Sequence, residues 1–108
     1  SVTRVRLTQE PGRHYALTCE GHATGSPEVC AAISCLAGSL EGWVENSPSA
    51  DVQHLEVRPG FVRIVFTPAV GAASALLVCQ GVYDLLQIGF LRLEAAAPDF
   101  LCVEREEN

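Results

Sequence analysis

The sequence predicts an α+β fold: a mainly antiparallel sheet with two helices packed on one face, in the order β-β-α-β-β-α-β. Three observations carry this prediction. Short stretches alternate apolar and polar residues and end at Pro-Gly pairs, as hairpin strands do. Two longer stretches switch to apolar spacings of three and four, the period of an amphipathic helix. The chain has 108 residues, 48% of them hydrophobic, enough for one closed core, so residues 1–108 are expected to form a single domain. Helices that alternate with strand pairs bury their apolar stripes most simply against one face of the sheet those strands form.

The first strand begins with Val2, Val5 and Leu7 and ends at the Pro11-Gly12 turn. Tyr15 to Glu20 returns as the second arm of a hairpin, with Tyr15, Leu17 and Cys19 on one side. Gly21 to Pro27 is rich in turn residues and reads as a loop. Val29, Ile33, Leu36, Leu40 and Trp43 then mark a helix running to about Glu45. Its start is Ser26-Pro27-Glu28, a cap, a first-turn proline and a carboxylate near the positive end of the helix dipole. Asn46 to Ala50 is a turn. Val52 to Val57 and Phe61 to Phe66 are strands joined by Arg58-Pro59-Gly60, with Thr67-Pro68 ending the second. Ala72, Ala75, Leu76, Cys79, Val82, Tyr83 and Leu86 place a second helix over Ala69 to about Ile88. Gly89 is expected as its C-cap, with Phe90 to Leu93 extending or following the helix. After Pro98-Asp99, a last strand runs from about Phe100 to Glu104.

Charge and cysteine content exclude several classes. Seven basic residues, all Arg, against 13 acidic ones give a net charge of -6. Such a surface repels phosphate backbones, so direct nucleic-acid binding is not expected, while a basic peptide would be attracted. The five cysteines, Cys19, Cys30, Cys35, Cys79 and Cys102, are odd in number and contain no CxxC pair. They read as reduced thiols rather than a disulfide frame or metal site, which points to the cytoplasm. No metal or cofactor is expected. The first residues lead directly into a strand pattern, so no secretory signal is expected. The longest apolar run, Ala69 to Cys79, is interrupted by Gly71 and Ser74 and too short to span a bilayer, so no membrane is expected.

The stretch from Gly21 to Ser34 carries the chemistry. It places His22 at the end of a strand and Cys30 in the first turn of the following helix. Unpaired amides and the positive helix terminus favour a thiolate over the thiol, whose free pKa is about 8.5. An imidazole within reach can take the thiol proton and return it to a leaving amine. The same amides can hold the oxyanion of a tetrahedral intermediate. On spacing alone, a helix-start Cys and a strand-end His are more often structural.

Gly21-His22-Ala23, a loop, and Val29-Cys30-Ala31-Ala32-Ile33-Ser34 resemble the signature of the ribosomal-processing cysteine proteases, the Prp family. The resemblance extends over nearly the whole chain, with Leu93-Glu94, Pro98 and the closing strand similar to the family's C-terminal stretch. It implies a cysteine endopeptidase that removes the N-terminal extension of a large-subunit ribosomal protein. Cys30 would be the nucleophile and His22 the general base, with Gly21 and Ser34 supporting or contacting substrate. It further implies a homodimer whose partner is the N-terminal peptide of a basic ribosomal protein. Two departures stand out: the loop between His22 and Cys30 is shorter than the family's, and Pro27 stands where the family commonly carries Asp. Glu28 is the nearest replacement carboxylate. These departures keep open an alternative, a catalytically silent peptide-binding protein of the same fold. Thiol-transfer chemistry is weaker still, for want of a resolving partner.

The remaining candidates have plainer readings. His14 and His54 are expected to face solvent or bond locally. Ser34 lies one turn after Cys30 on the same helix face, where a Ser bonded to a helix carbonyl is at least as expected as a substrate contact. Cys35 is about 140° away from Cys30 around the helix, a poor resolving position. Cys19, Cys79 and Cys102 fall on apolar faces and read as core, and Trp43 is expected in the core rather than at a dimer contact.

Overall fold

The computed structural model describes residues 2–23 and 25–108; the Thr24 position of the predicted loop lies outside them. The described elements are β1 (Thr3–Glu10), β2 (His14–Glu20), α1 (Pro27–Asn46), β3 (Ala50–Arg58), β4 (Phe61–Pro68), α2 (Ala75–Ala96) and β5 (Leu101–Glu107). This is the predicted order. The strands form one mixed sheet, β3-β4-β2-β1-β5. β1 pairs antiparallel with β2, β2 with β4, and β4 with β3, while β5 joins β1 in parallel.

Both hairpins are turned by glycine where the backbone needs a positive φ: +77° at Gly12 and +76° at Gly60. Alternation along the strands then sends Val5, Leu7, Tyr15, Leu17, Cys19, Ile64 and Phe66 to one face. Both helices lie on that face. α1 presents Val29, Ile33, Ala37, Leu40 and Val44, and α2 presents Ala75, Cys79, Tyr83, Leu86 and Phe90. Tyr15 stacks on Phe66 at 5.4 Å between ring centroids, and Trp43 meets Phe66 edge-on at 5.5 Å. Trp43 thus packs against the core, as expected. The buried Tyr15 hydroxyl donates to Gln80 Oε1 at 2.7 Å and accepts from the Gly12 amide at 3.0 Å, so its polar tip is satisfied. His14 and His54 keep to local partners, Glu10 at 3.1 Å and Glu56 at 3.3 Å.

The first helix starts as predicted: Ser26 caps it, its Oγ accepting from the Val29 amide at 3.3 Å, with Pro27 in the first turn. The second differs at both ends. It begins at Ala75, because residues 69–74 form turns around Gly71, whose φ is +85°. It continues through Gly89 to Ala96, so Gly89 is not a C-cap. A Cβ on Gly89 would lie 2.8 Å from Leu36 Cδ2 of α1. The glycine therefore serves close helix approach, a tertiary requirement that local cap preference does not reveal. Cys102 is exposed rather than core. β5 is an edge strand, where Leu101 and Val103 turn toward the helices and Cys102 toward the uncovered face. The strand also extends to Glu107, held along β1 by parallel pairing.

By length and composition α2 could cross a membrane, with a mean hydropathy of 1.3 in its most apolar stretch. Its inner side is built into the core, whereas Leu77, Leu85 and Ile88 on its outer side are exposed. The apolar run read from Ala69 to Cys79 underestimated this helix because the run stops at Gln80, whereas the helix continues to Ala96.

Candidate functional site

The site forms where β2 leaves the sheet. Gly21 takes a φ of +88°, and a Cβ there would lie 3.0 Å from the Val2 carbonyl oxygen, so the sharp exit alongside β1 favours glycine. Thr3 Oγ1 donates to the Gly21 carbonyl at 3.3 Å, and the Gly21 amide donates to the Gly60 carbonyl at 2.9 Å. The chain end of β2 is thereby tied to β1 on one side and to the β3–β4 turn on the other. Gly21 makes both ties through its backbone, its carbonyl accepting and its amide donating.

His22 follows, exposed, with its imidazole laid against Gly60: a Cβ at Gly60 would lie 2.7 Å from His22 Nε2. Ala23 turns inward and is 1% exposed. Its carbonyl accepts from the Ser26 amide at 3.2 Å and from Cys30 Sγ at 3.4 Å. Cys30 is half-buried near the start of α1. His22 and Cys30, chosen from the sequence, line one groove of about 430 Å³. Ser34 borders the same groove one turn further along α1 and is exposed. The opposite wall is the β3–β4 turn, Val57 to Val62, and Cys19 lies in the floor.

The first-turn amides are more committed than the sequence suggested. Pro27 has no N–H, the Val29 amide serves the Ser26 cap, and the Cys30 amide donates to the Ser26 carbonyl at 3.1 Å. Among the described residues this leaves the Glu28 amide as the first-turn N–H outside these bonds, and Glu28 is not among the residues that line the groove. The Glu28 carboxylate stays at the cap, where its Oε2 accepts from Ser26 Oγ at 3.3 Å. The remaining thiols divide cleanly. Burial pushes the Cys19 thiol up to about 12, so it stays protonated at neutral pH despite bordering the groove. Burial, with the Asp51 charge second, also raises Cys79, whose Sγ donates to the Ser49 carbonyl at 3.3 Å. Cys35 and Cys102 are exposed on other surfaces.

Gly60 and the turn around it were not singled out in the sequence as part of the site. The signal was in strand order: pairing of Glu20 with Phe61 places residues 58–60 beside residues 21–22. Only the β2–β4 pairing makes the turn a neighbour of His22, and hairpin patterns alone leave that pairing unspecified.

No family model matches the chain, and no curated protein does. Solved structures do match. The Streptococcus mutans protein SMU.848 superposes with a TM-score of 0.72 at 20% identity, over 100% of this chain and 97% of that one. The essential ribosomal processing protease Prp from S. aureus, in complex with a covalently linked product peptide, superposes with a TM-score of 0.66 at 16% identity, over 96% and 99% of the two chains. The same protease with a substrate peptide gives 0.64 at 14% identity, again over 96% and 99%. At these identities the likeness shows the fold: over 96% of its length the chain is folded as the Prp processing protease is.

Proposed function

We propose that this chain is a cysteine endopeptidase of the ribosomal-processing type, which removes the N-terminal extension of a large-subunit ribosomal protein. The observation that carries the reading is the convergence of Cys30 and His22 on one groove in a fold shared with a protease whose structures hold substrate and product peptides. In this reading His22 accepts the Cys30 proton, and the sulfur attacks the scissile carbonyl carbon. The protonated imidazole then gives its proton to the departing amine, leaving a thioester on Cys30. Water, deprotonated by His22, hydrolyses the thioester and restores the thiol. Ser34 contacts the peptide one helical turn along the groove. The test is incubation with a synthetic peptide spanning the extension junction of such a ribosomal protein, read by mass spectrometry. Cleavage at a single bond is expected.

One set of observations favours a second reading, a silent peptide-binding protein. The Cys30 thiol donates to the Ala23 carbonyl, and the Cys30 and Val29 amides are both occupied. Saturable binding of the intact peptide, with no cleavage by a folded chain, would select this reading and remove the first.

The protein works, in our proposal, in the cytoplasm and as a homodimer. The exposed outer face of α2, with Leu77 77% exposed and Leu85 71% exposed, is the surface that supports pairing with a second copy. Light scattering after size exclusion should give twice the chain mass, and Leu85→Glu should halve it. A monomer for the parent chain at micromolar concentration would refute the dimer.

A further inference from the structure

The imidazole of His22 rests on the turn of a different hairpin. At Gly60, an added Cβ would lie 2.7 Å from His22 Nε2 and 3.3 Å from both Cδ2 and Cε1. Three ring atoms therefore crowd the space that any other residue would fill. The same glycine's carbonyl accepts the Gly21 amide at 2.9 Å, fixing the backbone one residue before His22. Gly60 also holds a φ of +76°, a conformation glycine adopts without the steric cost borne by other residues. The turn thus meets His22 through both its ring and the backbone that carries it. Cys30, in contrast, is placed by α1 and by the Ala23 carbonyl. Two separately anchored supports set where the imidazole lies relative to the thiol.

We propose that Gly60 is a positioning residue for His22, and that the β3–β4 turn is the seat that orients the imidazole toward the groove. The inference rests on the reading of His22 and Cys30 as the reacting pair. It goes further in assigning a role to a residue that does not itself react and that acts through the His22 ring it lies against. A side chain at 60 lifts the ring from its seat, and displacement of a catalytic group by about 1 Å costs up to roughly 100-fold in rate.

Gly12 provides a matched control. It turns the β1–β2 hairpin with a φ of +77°, and its added Cβ would meet the flexible Leu76 side chain at 3.1 Å, away from the groove. Gly12→Ala and Gly60→Ala therefore impose the same backbone strain, and only the second touches His22. Gly60→Asn supplies a variant that tolerates the left-handed backbone while still carrying the Cβ. The measurements are the ring 1H–15N resonances of His22, assigned by their loss in His22→Ala, and kcat and KM on the junction peptide. In Gly60→Ala and Gly60→Asn the His22 ring resonances should move and kcat should fall roughly 10–100-fold with KM changed less. Gly12→Ala should leave both at parental values. Unmoved ring resonances in both folded Gly60 variants would overturn the inference, as would equal loss of kcat in Gly12→Ala. A parent chain that never cleaves, but whose His22 resonances still respond to Gly60, would remove the protease reading and keep the seat.

Discussion

Cys30→Ala is expected to lower kcat for the junction peptide by at least about 1000-fold, because no other thiol can take over the attack. Cys19 borders the same groove but is held protonated, its thiol pushed up to about 12 by burial. Cys35 and Cys102 lie on exposed surfaces away from it. The substitution removes one half-buried sulfur that packs at the margin of the core and bonds the Ala23 carbonyl, so stability should change by no more than about 1 kcal/mol. Peptide affinity, measured by fluorescence anisotropy, should stay within a few-fold of the parent. Loss of cleavage with binding and melting temperature preserved is the diagnostic pattern. Cleavage that persists at the parental rate would exclude Cys30 as nucleophile.

The largest effect on stability is expected at Phe66. It is fully buried on β4, between β3 and β2, stacked on Tyr15 and met edge-on by Trp43 of α1. Phe66→Ala removes a ring shared by the strand layer and the helix layer, and such truncations cost about 3–5 kcal/mol. Typical domains hold only about 5–15 kcal/mol in total. For a chain of this size, the melting temperature should fall by roughly 15–30 °C. Val70→Ala is the control: that side chain is 96% exposed in the turn before α2, so its melting temperature should move by only a few degrees. A Phe66→Ala shift as small as the control's would mean that the two layers are not held together as described.

What could be read from the residues follows from how local each determinant is. Alternation in β1, β2 and β4 and the three-and-four spacing of α1 and α2 are properties of neighbouring residues, and they yielded the element order. So did the Ser26 cap and the Pro-Gly hairpins. His22 and Cys30 were legible because both stand in one short segment that runs from strand end to helix start. The errors lie where distant parts of the chain meet. Gly89 has the look of a helix end, but Leu36 of α1 decides its role. Cys102 sits in an apolar context, yet its face is set by β5 lying at the sheet edge. The seat of His22 comes from a turn almost forty positions later, brought near by the Glu20–Phe61 pairing. The commitment of the first-turn amides likewise needed coordinates, since Pro27 and Ser26 indicate a cap but not how many donors it leaves.

The parallel pairing of β5 with β1 bears on the order of events during synthesis. Thr3 aligns with Leu101 and Gln9 with Glu107, so the two ends of the described chain lie side by side in the sheet. The Thr3 amide also donates to the Phe100 carbonyl at 3.0 Å, and Thr3 is the residue that braces Gly21 at the exit toward His22. A growing polypeptide that has not yet delivered residues 100–107 has no partner for that edge of β1. It can assemble its hairpins and α1, whose contacts are local, but β1 stays open on one side until residues 101–107 arrive. Contacts of such long sequence separation form late and slow folding, because the entropy of closing the intervening loop must be met first. The groove that holds His22 and Cys30 is therefore framed early in synthesis, and the strand that braces its rear is secured last.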